Sequence, residues 1–349
     1  MTDAIEPRRS NVDPLQVLAS LPNDHVVRRA GTPDAPGLVH VLDRRSRVAM
    51  MAALACDRPL LVRGEPGIGK TQLAEAAAVV LGRRLLPEVV DSRSEARDLL
   101  YRFDAVRRLA EAQTMGTIIA AAAKEGKTND ASSDLLSTLQ EKNFLSPGVF
   151  WTAFGYEDPS KPEAEPESPG GYVVLIDEID KAESDLPNGL LGVLGSREFS
   201  VPGYDKKIRR DEHLPAPLVV ITTNEERSLP NPFVRRCVVL DLWMPDDPEF
   251  KADRPISLEE LLIERGRQHF PGLDENGILQ KAAEQVAKDR AEARTHGRKP
   301  LPGQAEYLDL LRAVDALKIS HAAAKTKFDP LAALDSLAAF IVSKHGRPE

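Results

Sequence analysis

The chain has 349 residues, 46 Lys+Arg against 54 Asp+Glu and a formal net charge of −8, with 42% hydrophobic and 29% charged residues. That length accommodates two domains, and the composition is that of a folded globular protein rather than a disordered or fibrous one. The acidic balance argues against a general nucleic-acid binder, which needs a basic surface to displace counterions, although a local basic patch stays compatible with it. No apolar run reaches the roughly 18 residues of a membrane helix, and MTDAIEPRRS has no apolar segment of a signal-peptide kind. A cytoplasmic protein is expected. Cys56 and Cys237 form no C-x-x-C pair and lie in apolar stretches, so both are expected to be reduced, buried hydrophobes. The seven histidines include no H-E-x-x-H pair, which speaks against a zinc site of that type.

Residues 1–40, rich in Pro, Arg and Asp, read as an arm with one short helix around DPLQVLASL. Asp43 then caps a helix over RRSRVAMMAALAC, whose apolar positions recur at helical spacing. RPLLVR is a short buried strand that stops at Gly64, and TQLAEAAAVVLG, from Thr71, is a helix. RLLPEVVD (84–91) is a second strand candidate, and 94–143 reads as mostly helical with Ala-rich faces. EDPSKPEAEPESPGG (157–171) is a Pro/Glu-rich loop. YVVLIDEID is a central strand, SDLPNGLLGVLGSR a helix, and EFSVPGYDKKIRR a hairpin turning at Pro202-Gly203. PLVVITTN and CVVLDLW are two more buried strands. Strands that alternate with helices imply a parallel sheet covered on both faces. After MPDDPE the pattern turns wholly helical, through SLEELLIERGRQHF, GILQKAAEQVAKDRAEA, QAEYLDLLRAVDALK and DPLAALDSLAAFIVSK. The last of these starts with Asp329 as N-cap and Pro330 in its first turn. The predicted division is an arm (1–40), an α/β domain (41–245) and a helical domain (246–349).

The chemistry is carried by three strand ends and one pair of arginines. GEPGIGKT fits G-x-x-x-x-G-K-[ST] between a strand and a helix. Gly64, Gly67 and Gly69 let the backbone of Glu65, Pro66 and Ile68 curl so that N–H groups surround phosphate oxygens, helped by the positive end of the following helix. Lys70 would reach the β- and γ-phosphates, and the Thr71 hydroxyl would ligate Mg²⁺. The alternative is a glycine-rich turn with an exposed lysine. In VVLIDEID a buried strand delivers Asp177 and Glu178 at its C-terminal edge, where ligands of open α/β sheets bind. Asp177 would hold magnesium and Glu178 would polarise the attacking water; alone, such residues also serve as helix caps. Asn224, which ends PLVVITTN, could bond the attacking water or the γ-phosphate, or simply form a turn. No N-K-x-D segment is present, and the one T-K-x-D match, TKFD (326–329), ends in the Asp329 N-cap of the last predicted helix, which favours ATP over GTP. Arg235 and Arg236 precede the strand CVVLDLW, in RSLPNPFVRRC; the bland reading is one solvated arginine and one covering a helix end.

The order of these motifs resembles the MoxR-type group of the AAA+ ATPases. The resemblance is carried by VLDRRSRVAMMAALACDRPLLVRGEPGIGKT, SRSEARDLLYRFDAVRRL, VVLIDEIDKAESDLPNGLLGVL, EFSVPGYDKKIRR and ITTNEERSLPNPFVRRC, with RKPLPGQAEYLDLLRAV extending it into the helical part. It implies a P-loop α/β domain with an inserted helical segment and a hairpin, a small helical lid, and a homo-oligomeric ring, usually a hexamer, with ATP at the subunit interfaces. It also implies a chaperone acting on a partner complex, often one containing a von Willebrand factor A domain. Arg236, with Arg235 as the alternate, would reach the nucleotide of the neighbouring subunit, where a planar guanidinium stabilises the charge on the transferring phosphoryl group. The lid's basic residue would be Lys299, or Arg298, since no arginine follows Pro300 until Arg312.

Two other classes stay open at this level. One is a nucleic-acid translocase or defence-type ring ATPase, with KKIRR (206–210) lining a pore. The other is a nucleotide switch that scaffolds partners without hydrolysis, against which Glu178 argues, since a pure switch needs no general base.

Overall fold

A computed structural model describes residues 13–31, 37–124, 138–155, 171–247, 256–274 and 277–342, with side chains of 118–124 excepted. The first twelve residues of the predicted arm, nearly all of the Pro/Glu-rich loop and most of the SSDLLSTLQEK stretch lie outside these residues.

The described chain starts with α1 (Pro14–Ser20), then β1 (His25–Arg29) and β2 (Leu38–Leu42), which pair antiparallel from His25↔Leu42 to Arg29↔Leu38. This hairpin was not expected from an arm dominated by Pro and Arg; HVVRR and LVHVL each offer only a weak alternation. Then come α2 (Arg44–Cys56), β3 (Leu60–Gly64), α3 (Lys70–Leu81) and β4 (Arg84–Val89). The Asp43 carboxylate accepts from the Ser46 amide at 2.7 Å, the cap expected of it. In the stretch expected to be helical, a short strand, β5 (Tyr101–Phe103), precedes α4 (Ala105–Lys124) and pairs antiparallel with β6 (Leu145–Pro147). α5 (Val149–Ala153), β7 (Tyr172–Asp177), α6 (Asp185–Ser196), β8 (Glu198–Phe199) and β9 (Ile208–Arg209) follow. β8 and β9 pair antiparallel, as the hairpin reading requires. β10 (Leu218–Thr223), α7 (Asn231–Val234) and β11 (Val238–Leu242) complete the α/β elements. The helical run comprises α8 (Leu258–His269), α9 (Ile278–Thr295), α10 (Gln304–Ala323) and α11 (Pro330–Ile341).

The central sheet has five strands in the order β11-β3-β10-β7-β4. β10 and β4 run parallel to β7, with Ile221↔Ile176 and Val89↔Asp177 in register. All six residues of β10 are buried, whereas β4, at an edge of the order, has only partly buried and exposed positions. That contrast is what a sheet covered on both faces predicts for an inner and an outer strand.

The chain divides into two compact units. One comprises Met1–Val17, Ala49–Leu61 and Leu81–Val238. Its core joins Val174 and Ile176 of β7, Val219 and Ile221 of β10, Leu186 and Leu190 of α6, and Phe150 and Trp151 of α5. Trp151 meets Tyr204 edge-on, with ring centroids 5.3 Å apart. The other unit comprises Leu18–Val48, Val62–Val80 and Val239–Glu349, so it takes in GEPGIGKT together with the C-terminal helices. Its core is built from Leu262, Leu279, Val286, Tyr307, Leu311 and Leu334. The Tyr307 hydroxyl donates to the Leu279 carbonyl at 3.2 Å, so the buried ring ties α10 to α9 without an unpaired oxygen. Ser257 and Glu260 form a capping box on α8, and Asp329 accepts from the amides of Leu331 and Ala332 at the start of α11. Cys237 is buried as expected, but Cys56 is exposed. It occupies the last position of α2, where the apolar spacing that suggested burial no longer applies.

Candidate active site

β3 places the buried residues Leu60, Leu61 and Val62 directly before the glycine loop. Gly67 and Gly69 have φ of +77° and +102°, in the region that L side chains rarely adopt. The loop therefore needs its glycines for backbone shape. Space adds to this: a Cβ on Gly67 would stand 2.6 Å from the Cβ of Ala305, at the start of α10. Lys70 is buried, and its ammonium donates to the carbonyls of Gly64 at 2.7 Å and Glu65 at 2.9 Å. Phosphate oxygens would offer this ammonium stronger, charge-assisted bonds than the two neutral carbonyls do. Thr71 is exposed in the first turn of α3. Gly67→Ala is expected to lower nucleotide affinity at least about ten-fold, since the left-handed backbone alone costs about 1–3 kcal/mol and the Ala305 contact adds to it. Titration with a fluorescent ATP analogue checks this; unchanged affinity in a folded variant would remove the loop from binding.

Beside the loop, in the same unit, lies a cavity of about 640 Å³. Its walls include His40 and Val41 of β2, Ile68 of the loop, Leu73 of α3, Met244, Leu261 and Arg265 of α8, and Gln304 of α10. The lining mixes apolar side chains with many polar and charged ones, among them Asp43, Arg44, Glu264 and Arg267, so a flat heteroaromatic ring would find both apolar contact and partners for its polar edges. His40 is pushed down to about 4, first by burial, then by the Arg265 guanidinium; Asp43 and Gln72 oppose this and His269 adds to it. Its folded value lies below the ordinary 6.5, so the unfolded chain binds the extra proton between pH 6.5 and about 4. Stability is therefore full above pH 6.5 and falls as pH drops toward 4, by on the order of 2–3 kcal/mol for His40. Thermal melts at pH 7 and pH 4.5 should show a smaller loss in His40→Gln than in the unsubstituted protein. Equal losses would assign the acid sensitivity elsewhere, for example to His269, also lowered to about 4 by burial.

In the other unit, β7 and β10 lie side by side and bring Asp177, Glu178 and Asn224 together at their C-terminal ends. The Thr222 hydroxyl donates to Asp177 Oδ1 and accepts from the Glu178 amide at 2.9 Å. Glu178 adopts a left-handed backbone, φ 60° and ψ 47°, which turns the chain at the strand end. The Asn224 side-chain amide donates to Glu178 Oε1 at 3.3 Å, while the Lys181 ammonium pairs with Oε2. Asp180, 2% exposed, accepts from the amides of Asn224 and Glu226 and locks the two strand exits together. Thr222, Asp180 and Lys181 were not singled out in the sequence. The only signal for them is position, one in the second strand and two in the turn after Glu178.

Arg235 and Arg236 are both exposed at the end of α7. Arg236 Nη1 donates to the Pro232 carbonyl at 3.2 Å, a bond that leaves the rest of the guanidinium available. Lys299 is exposed and Arg298 half-buried. From the C-terminal helical region, Arg290 pairs with Glu65 of the glycine loop, and Ala305 and Gln304 approach Gly67 and Gly69.

No curated protein matches the sequence. Among solved structures, a variant of RuvB from Thermotoga maritima aligns with a TM-score of 0.45 and 16% identity, covering 88% of this chain and 72% of that one. The Thermotoga maritima RuvB Holliday junction branch migration motor aligns with a TM-score of 0.41 and 16% identity, covering 85% and 67%. Residues 59–237, just over half of the chain, match the AAA domain of the dynein-related subfamily. On that match the chain belongs to the AAA domain family, dynein-related subfamily, and is an ATPase of that family.

Proposed function

We propose that the chain hydrolyses ATP with magnesium at the subunit interfaces of a homo-oligomeric ring, a hexamer, and uses the energy to remodel or mature a partner protein complex in the manner of the MoxR-type group, with the AAA+ domain over 41–245 and the lid over 246–349. The partner class that best fits this reading contains a von Willebrand factor A domain. The observation that carries the hydrolytic part is the joint presence of the glycine-shaped loop ending in buried Lys70 and the Asp177–Thr222–Glu178–Asn224 network.

In this reading the amides of Glu65, Gly67, Ile68 and Gly69 and the ammonium of Lys70 hold the triphosphate, and the cavity walled by Ile68, Leu73 and Gln304 takes the nucleoside. The donor chemistry fits magnesium: the Thr71 hydroxyl and the Asp177 carboxylate are hard oxygen ligands, and phosphate oxygens normally complete such a shell. When bound, the ion neutralises charge on the phosphates. Thr222 fixes the Asp177 carboxylate by its hydroxyl. Glu178 takes the proton of the attacking water, Asn224 orients the Glu178 carboxylate, and Arg236, or Arg235, stabilises the transferring group in the neighbouring subunit.

Light scattering of Glu178→Gln tests the ring. With ATP the particle should be several times the 38.2 kDa chain mass, because nucleotide shared between subunits ties them together by mass action. A particle of one chain mass at micromolar protein, with and without ATP, would contradict the ring.

A further inference from the structure

Arg290, on α9, is 1% exposed and bonded through each of its three nitrogens. Its Nε donates to Asp246 Oδ2 at 2.7 Å, its Nη1 to the Pro302 carbonyl at 3.0 Å, and its Nη2 lies 2.8 Å from one oxygen of Glu65 and 3.0 Å from the other. Asp246 also pairs with Arg294 at 2.9 Å. Burying a guanidinium is costly unless its donors are met, and here two carboxylates and a carbonyl meet them. The three partners belong to three pieces of chain. Glu65 is in the phosphate loop, Asp246 follows β11, and Pro302 stands two residues before α10, whose Ala305 touches the loop at Gly67.

Glu65 is also where Lys70 rests: its backbone carbonyl accepts from the Lys70 ammonium while its carboxylate holds Arg290. Meanwhile the start of α10, which leans over the loop, presents Gln304 and Ala305 and no cation. We infer that Arg290 is a positioning residue that couples the lid to the phosphate loop through the Glu65 carboxylate, in place of a lid cation placed on the phosphates. The inference rests on the ATP-site reading above. Arg290 sets the loop by fixing its second residue, and it sets the lid by fixing the turn into α10. A nucleotide that draws Lys70 off the Glu65 carbonyl therefore acts on a residue that Arg290 grips. Arginine is needed because a lysine ammonium cannot span three acceptors in one plane.

The test is a double-mutant cycle with Arg290→Lys and Glu65→Gln, read by a fluorescent ATP analogue, by the split of activity into KM and kcat, and by thermal melting. Each single variant is expected to weaken nucleotide binding about ten-fold, with the loss falling on KM more than on kcat, and the double variant to be no worse than either single. Additive losses, or a lowered melting midpoint with unchanged nucleotide affinity, would overturn the inference and leave Arg290 a structural staple. The half-exposed Glu65 keeps the question answerable if Arg290→Lys fails to fold, since Glu65→Gln alone then predicts the same affinity loss. Lys70→Ala serves as the separate control. If it binds nucleotide like the unsubstituted protein, the site reading itself fails; if it loses binding while Glu65→Gln does not, only the role of Arg290 fails.

Discussion

Lys70→Ala is expected to lose nucleotide binding altogether, whereas Glu178→Gln binds ATP as well as the unsubstituted protein and does not turn it over. The two residues sit at different stages of the reaction. On the proposed roles, Lys70 would exchange the carbonyls of Gly64 and Glu65 for phosphate oxygens in the ground state, so its loss would remove uniform binding. Glu178 would act on the attacking water, and glutamine keeps its shape and its bond from Asn224 while giving up the carboxylate that would accept a proton. Equilibrium titration with a fluorescent ATP analogue, beside phosphate release at saturating ATP, separates the two. Binding lost in the Glu178 variant and retained in the Lys70 variant would reverse the assignment.

Arg236→Ala is expected to lower turnover by on the order of a thousand-fold or more, the scale on which a guanidinium contributes at a transferring phosphoryl group. Nucleotide affinity should change far less, because the charge it would stabilise develops in the transition state. Both arginines are exposed within the chain, and Arg236 donates to the Pro232 carbonyl. A surface arginine with no further role predicts a change of less than about two-fold, since exposed substitutions stay within about 0.5 kcal/mol. Steady-state ATPase assays of Arg236→Ala and Arg235→Ala tell which of the two carries the effect.

Much of the fold was legible because its signals are local. The glycines of GEPGIGKT announce positive φ, and Gly67 and Gly69 adopt it. The apolar run of YVVLIDEID marks a buried strand, and β7 is buried from Val173 to Ile176. Asp43 and Asp329 cap the helices that their positions suggested. What escaped depends on tertiary neighbours. Glu65 and Arg290 are 225 positions apart, and nothing in either segment names the other. β1 and β2 are stabilised by each other, so neither short strand stands out alone. Thr222 looks like any β-branched strand residue until the parallel register of β10 on β7 brings its hydroxyl to Asp177. Cys56 shows the reverse error, where local apolar spacing promised a burial that the helix end does not supply.

The central claim is an ATPase whose active sites are completed by a neighbouring copy of the same chain, and a mixing experiment tests it most directly. Arg236→Ala and Glu178→Gln, each nearly inactive alone, are combined as monomers before ATP is added, and phosphate release is followed across the mixing ratios. The account predicts partial recovery that peaks at intermediate ratios. At some interfaces an intact Glu178, carried by the arginine variant, meets an intact Arg236 carried by the glutamate variant. Flat activity at every ratio, with mixed oligomers confirmed by differential tagging, would show that Arg236 acts within its own subunit or not at all, and would contradict the account.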